Sequence, residues 1–204
     1  PRLLAASPEL ARRRLRGRRI LAVSRRAKYI LLTLSGGWTL LVHLRMTGQF
    51  RLVRRGAPRD PHDHLVLELT DGRELRFHDP RRFGRWRLER DPRDALRGLG
   101  PEPLAPDFTA AALGRRLAGR RGRLKSLLLN QAVMAGLGNI YADESLWRAG
   151  LHPCRRAHRL AAAEVRRLHR AIRAVLREAV RHGGTSLGLG EGNYARLGRR
   201  GGYQ

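Results

Sequence analysis

The chain has 204 residues and a formal net charge of +26, an excess that must sit on the surface because unpaired buried charge is prohibitive, and that points to polyanionic partners, nucleic acid first. A hydrophobic content of 42% excludes a disordered chain. Apolar runs such as Tyr29 to Leu32 and Leu40 to Val42 are far too short to span a bilayer, and the single cysteine, Cys154, excludes an internal disulfide or a cysteine-built zinc site within these residues.

In chain order, Pro8 to Leu15 reads as a short helix. Six short runs rich in Val, Leu, Ile and aromatics then read as strands: Arg19 to Val23, Tyr29 to Leu34, Trp38 to Leu44, Gly48 to Val53, Leu65 to Thr70 and Glu74 to His78. Ser35-Gly36-Gly37, Arg55-Gly56-Ala57-Pro58 and Asp71-Gly72 separate them, the last a hairpin signal. Strands at this spacing without helical crossovers imply an antiparallel sandwich. Pro101 and Pro103 beside Gly100 make a rigid connector where the β pattern ends. Helices are expected over Ala110 to Ala118, Leu124 to Gln131 and Asn139 to Arg148, the last stopped by Gly150 and Pro153, with Asn139 as N-cap. A long helix over Ala161 to Arg181 carries an apolar stripe of Val165, Leu168, Ile172, Leu176 and Ala179, and its Arg166, Arg167, Arg170, Arg173 and Arg177 read as a solvated face. Gly183 to Gln204 reads as a loop. The expected fold class is therefore α+β: an incomplete antiparallel β-sandwich over residues 1–104, then a helical DNA-binding domain over 105–204.

Of the 43 basic residues, 41 are arginine; the two lysines are Lys28 and Lys125. Guanidinium stays protonated, whereas an ammonium can shift its pKa and exchange a proton, so a lysine spared in so arginine-rich a chain is a candidate for proton transfer. The segment from Lys125 to Glu144 reads as a helix, a tight connector with Gly136 and Gly138, and a second helix whose N-terminus offers free N–H groups to phosphate.

The wording of Lys125 to Glu144 resembles the helix–two-turn–helix element of the formamidopyrimidine-DNA glycosylase and endonuclease VIII superfamily. Arg25-Arg26-Ala27-Lys28-Tyr29, His43-Leu44-Arg45-Met46-Thr47-Gly48, Asp79-Pro80-Arg81-Arg82-Phe83-Gly84 and Leu99-Gly100-Pro101-Glu102-Pro103-Leu104 extend the resemblance over nearly the whole chain. The His-Leu-Arg-Met-Thr-Gly and Asp-Pro-Arg-Arg-Phe-Gly segments favour the formamidopyrimidine branch.

This resemblance implies a base-excision repair glycosylase and abasic-site lyase acting as a monomer on oxidised purines in damaged double-stranded DNA, in the cytoplasm or on the nucleoid and away from membranes. It makes Lys28 the proton-transferring lysine of β-elimination. Lys125 and Asn139 become holders of backbone phosphates, with His62 and Arg81 as further DNA contacts. Met46, Arg81 and Phe83 become the trio that fills the space left by a flipped nucleotide, a role suited to apolar wedges beside a hydrogen-bonding guanidinium. Gly183-Gly184-Thr185-Ser186 resembles the start of a lesion-facing loop, which places Thr185 and Ser186 near the damaged base.

The family's nucleophile is an N-terminal proline followed by Glu-Leu-Pro-Glu. Here Arg2-Leu3-Leu4 follows Pro1, which lies 27 residues before Lys28, about half the family's interval. The expectation is that Pro1 is an internal residue, with roughly thirty family residues preceding it, and that the family's four-cysteine zinc finger falls beyond Gln204; no cofactor or metal is expected in this chain. Two alternatives are a non-catalytic DNA-binding relative and an endonuclease VIII-type enzyme for oxidised pyrimidines. A ribosomal or nucleoid protein would explain the charge but not five ordered motifs.

Overall fold

A computed structural model describes residues 8–184, which form two compact units, one covering the β-rich part to Asp94 and the other Ala95–Arg181. The first begins with helix α1 (Pro8–Leu15) and continues through β1 (Ile20–Arg26), β2 (Tyr29–Leu34), β3 (Trp38–His43), β4 (Gln49–Arg54), β5 (Asp63–Glu68), β6 (Arg73–His78) and β7 (Arg85–Glu89), then the short α2 (Pro92–Leu96). Sheet order is β1-β2-β3-β7 in one layer and β4-β6-β5 in the other, with antiparallel neighbours throughout.

The six expected strands are present with shifted ends, and β7 and α2 are additions. The sequence Arg85-Trp-Arg-Leu-Glu89 alternates as a half-buried strand should, but it is short and arginine-rich, so its β character rests on pairing with β3, where Val42 faces Trp86 and Leu40 faces Leu88. Inward residues of both layers meet in one core: Leu32, Leu34, Trp38, Leu40, Val42 and Trp86 from the first, Phe77 from the second, with Phe50, Leu65, Leu67 and Leu75 packed against them. Phe77 and Phe50 stand edge-on or tilted against Trp86 at 5.4 and 5.6 Å between ring centroids. β1 and β7 are the edges of their sheet, and Ile20, Leu21 and Val23 of β1 are exposed among the described residues.

The second unit contains α3 (Ala110–Leu117), α4 (Leu124–Leu129), α5 (Asn139–Arg148), a 3-10 turn (Ala157–Arg159) and α6 (Ala162–Arg181). Thr109 caps α3, its hydroxyl accepting the Ala112 N–H at 3.1 Å. Gly138, not Asn139, occupies the N-cap of α5: the extended backbone falls on the glycine, and Asn139 is the first helical residue. Along α6 the fully buried stripe is Leu168, Ala171, Ile172, Val175 and Ala179, while Val165 and Leu176 pack at its margin. On the arginine face Arg166, Arg167, Arg170 and Arg177 are exposed, Arg167 with a bond to the Ala149 carbonyl at 3.3 Å, while the half-buried Arg173 donates to the Pro103 and Ala105 carbonyls at 2.9 and 2.8 Å. Arg167 thereby reaches a carbonyl at the C-terminal end of α5, and Arg173 two carbonyls of the 103–105 loop.

Candidate nucleic-acid interface

In the β unit the expected site residues lie on loops. Ala27 and Lys28 form the two-residue turn between β1 and β2, closed by the Arg26–Tyr29 pair. Met46 follows β3, Arg81 and Phe83 lie between β6 and β7, and His62 precedes β5.

Among the described residues, three non-glycine residues hold a left-handed φ: Ala27 at 54°, Arg45 at 59° and Arg82 at 55°. Each directly precedes an expected site residue, Lys28, Met46 and Phe83 respectively. Side-chain-bearing residues enter this region at a cost, and such outliers concentrate where a loop must aim a side chain. The Ala27 turn is fastened by Arg25, whose Nη1 donates to the Ala27 carbonyl at 2.7 Å.

Lys28 projects into solvent, yet its ammonium pKa is held below the ordinary lysine value, first by partial burial and then by the Arg45 guanidinium. His43, at the end of β3, faces Tyr29 across the sheet edge-on at 5.0 Å. Partial burial, Arg45 and Lys28, in that order, push its pKa down to about 4. The neutral ring accepts the Arg45 N–H at Nδ1, 3.0 Å away, so the remaining proton lies on Nε2. Sequence reasoning passed over His43 as part of a motif; the available signal was its place two residues before a left-handed arginine, which no pattern of residue types reveals.

Met46, Arg81 and Phe83 come together. The Arg81 guanidinium lies 4.6 Å over the Phe83 ring and its Nη1 is 3.9 Å from the Met46 sulfur. Met46 is 60% and Phe83 39% exposed, so neither is a core residue. His62 is exposed at the end of a loop held from below by a buried ionic cluster. Arg76 is 2% exposed and donates to the Pro58 and Ala57 carbonyls at 2.7 and 2.6 Å, to Glu74 at 2.8 Å and to Asp63 at 3.3 Å. Asp63 also meets His78 Nδ1 at 3.2 Å. Burial tends to raise the Asp63 pKa, but the Asp60 N–H, His78 and Arg76 outweigh it and hold it below the usual carboxylate value.

Lys125 and Asn139 belong to the helical unit. Lys125 Nζ sits 2.8 Å from Asp143 on α5, one turn beyond Asn139 and on the same helix face. Asn139 is exposed in the first turn of α5, which carries no acidic residue. The connector ahead of it is stapled by Gln131, whose amide donates to the Leu129 and Leu137 carbonyls and accepts the Gly136 N–H. The segment at Gly100 docks on this connector: Gly100 N–H donates to Gln131 and Ala135 N–H to Pro101, and a Cβ on Gly100 would lie 2.7 Å from the Ala132 carbonyl. An open hollow of about 530 Å³ in the same unit is lined by Arg121, Arg156, His158 and Arg159 with no carboxylate. Its signal, arginine pairs at 120–121 and 155–156, was visible in the sequence but indistinguishable from the general basic excess.

Thr185, Ser186 and Pro1 lie outside the described residues. The described residues contain no group of three His, Cys, Asp or Glu side chains arranged to hold a metal. No described helix is long and apolar enough to cross a membrane.

A sandwich whose strained loops present an arginine–aromatic–methionine group, and a helix–connector–helix unit with a basic surface, define a DNA-binding protein of two parts. Residues 1–86 match the formamidopyrimidine-DNA glycosylase N-terminal domain and residues 99–190 the formamidopyrimidine-DNA glycosylase H2TH domain. The chain is 47% identical over 208 residues to the formamidopyrimidine-DNA glycosylase of Chloroflexus aggregans, covering 100% of this chain and 74% of that protein. It is 51% identical to the one from Herpetosiphon aurantiacus over 89% of this chain and 67% of the other, and 54% identical to the one from Roseiflexus over 85% and 64%. The structure of the Lactococcus lactis Fpg with DNA containing an abasic site aligns with a TM-score of 0.86 at 35% identity, covering 92% of this chain and 70% of that one; the same protein with DNA containing a FAPY-dG lesion aligns equally well. This chain belongs to the formamidopyrimidine-DNA glycosylase family, and it spans about two thirds of the length of the relatives it matches.

Proposed function

We propose that this chain is the DNA-engaging part of a base-excision repair glycosylase and abasic-site lyase that works as a monomer on oxidised purines in duplex DNA. The observation that carries this reading is the coincidence of left-handed backbone with Lys28, Met46 and Phe83, together with the stacking of Arg81 on Phe83 beside Met46. An exposed apolar wedge held by backbone strain is costly for a purely structural loop. It is useful to a protein that must fill a duplex after a nucleotide leaves the stack, a step that costs a few kcal/mol of unstacking.

Lys28 suits proton transfer at an abasic site, because a lowered pKa keeps more of the amine unprotonated near neutrality than an ordinary lysine would have. Neutral His43 adds a donor, Nε2–H, on the same turn surface for a phosphate oxygen. In the helical unit, Asn139 and the first-turn N–H groups of α5 suit a phosphate, with Lys125 supplying charge once it leaves Asp143. The relatives' name and the abasic-site and FAPY-dG complexes support the substrate class.

The test is binding of the chain to a duplex carrying a tetrahydrofuran abasic analogue and to the same duplex intact. A preference of at least about tenfold for the abasic duplex, reduced by Phe83→Ala and Arg81→Ala, is expected. Equal affinity for both duplexes overturns the reading. In a strand-cleaving form of the protein, Lys28→Arg is expected to leave binding intact and slow cleavage.

A further inference from the structure

Asp79, the first residue after β6, is 0% exposed. Its carboxylate joins two loops. Oδ1 accepts the Thr47 hydroxyl, and Oδ2 accepts the Gly84 N–H at 2.7 Å. Thr47 follows Met46 directly, and Gly84 follows Phe83. The backbone of Asp79 joins a third loop and closes its own turn: its N–H donates to the His62 carbonyl at 3.0 Å, and its carbonyl accepts from His64 Nε2 at 3.0 Å and from the Arg82 N–H at 3.1 Å. His64 reaches that carbonyl from the irregularity in β5 between Asp63 and Leu65.

We infer that Asp79 is the positioning residue that holds Met46, Arg81 and Phe83 as one preassembled wedge, so that lesion recognition does not have to order two separate loops on contact with DNA. The inference rests on the function proposed above. A carboxylate suits the task because it is acceptor-only with two oxygens, and charge-assisted bonds to a hydroxyl and an amide are about twice as strong as neutral ones. The glycines on either side make the approach possible. A Cβ on Gly48 would lie 2.4 Å from the Leu44 carbonyl oxygen and 2.7 Å from Phe77 Cζ; one on Gly84 would lie 2.5 Å from that same Phe77 atom and 3.1 Å from Asp79 Oδ2. Both loops are drawn onto Phe77, and the carboxylate fastens them there. Immobilising flexible side chains before binding lowers the ordering cost at the moment of binding, and the gain falls only on the complex in which the wedge enters the duplex.

The experiment compares wild type, Thr47→Val, Thr47→Ser, Asp79→Asn and Met46→Ala for affinity to the tetrahydrofuran duplex and to the intact duplex. The fluorescence of 2-aminopurine opposite the abasic analogue reports wedge insertion. Thr47→Val removes the hydroxyl at constant shape; it is expected to lose about tenfold of the lesion preference and most of the 2-aminopurine change, with intact-duplex affinity kept within about twofold. Thr47→Ser restores the hydroxyl and should restore both signals. Asp79→Asn, which keeps the shape and removes the charge, should lose part of the preference, and it decides the matter if Thr47→Val does not fold. A folded Thr47→Val that keeps the full preference, or loses affinity equally for both duplexes, overturns the inference. If Met46→Ala abolishes the preference while Thr47→Val and Asp79→Asn do not, the wedge function stands and the positioning role of Asp79 falls. A wild-type chain with no lesion preference overturns both.

Discussion

Gly84→Ala tests how tightly the wedge loop is bound to the sandwich core. The added methyl would lie 2.5 and 2.6 Å from Phe77 Cζ and Cε1, roughly an ångström inside normal carbon contact. Phe77 is 0% exposed, and Phe50 and Trp86 stand against it at 5.7 and 5.4 Å between centroids, so the ring has no free direction in which to move. Overpacking of this kind costs about 1–3 kcal/mol. Urea unfolding followed by tryptophan fluorescence suits the measurement: Trp38 and Trp86 are buried in the β unit, whereas Trp147 is 77% exposed and should change little. Gly84→Ala is expected to lower the midpoint by the equivalent of about 2 kcal/mol without changing the slope. Phe77→Leu removes the atoms that clash. The double variant should therefore cost less than the sum of the two single variants, with a coupling of about 1 kcal/mol or more. Additive effects, or a Gly84→Ala protein as stable as wild type, would refute the packing argument.

Three further outcomes follow from the same geometry. Arg76→Met removes the cation shared by the buried Glu74 and Asp63 carboxylates and should destabilise the β unit by about 3–5 kcal/mol, read by the same unfolding curve; a change under about 1 kcal/mol would mean that the cluster is hydrated. His43 has a folded pKa of about 4 against 6.5 unfolded, so protonation favours the unfolded chain and stability falls as pH drops from 6.5 towards 4. After discounting for the ring's partial exposure the loss is about 1–2 kcal/mol, and His43→Gln should flatten the profile in that window; an imidazole titrating by NMR near 6.5 would contradict this. Lys125→Ala should weaken binding to any duplex and reduce the salt slope by about one, whereas Asp143→Asn, which frees the Lys125 ammonium, should tighten binding. Matching losses in the two variants would show that the ion pair, and not the free lysine, faces the DNA.

Much of the fold was legible because periodicity and turn residues are local. Gly36 and Gly37 at φ of 73° and 72° close the β2–β3 hairpin, and Gly72 at 81° the β5–β6 hairpin, as their sequence signals indicate. β7 was not legible, since the alternation over Arg85 to Glu89 is only five residues long with three charges, and its strand character is decided where Trp86 and Leu88 meet β3. The N-cap of α5 was misplaced by one residue because a side-chain preference for asparagine does not locate where the backbone passes from extended, at Gly138, to helical, at Asn139. On α6, Arg173 looked as solvated as the other arginines because sequence spacing does not reveal that the Pro103 and Ala105 carbonyls lie beside it.

Composition and motif order determined by themselves that this chain meets nucleic acid, that a β-rich part precedes a helical one, and that Lys28 and Lys125 stand apart from the arginines, because these are properties of residue identity and short-range spacing. Tertiary structure alone decided that Met46 meets Arg81 across 35 positions, that Asp79 fastens the loops of Met46, His62 and Phe83, and that His43 is neutral. The physical reason is that burial and charge proximity depend on segments brought together from afar, and neither the identity of a carboxylate nor that of an imidazole reveals what will surround it.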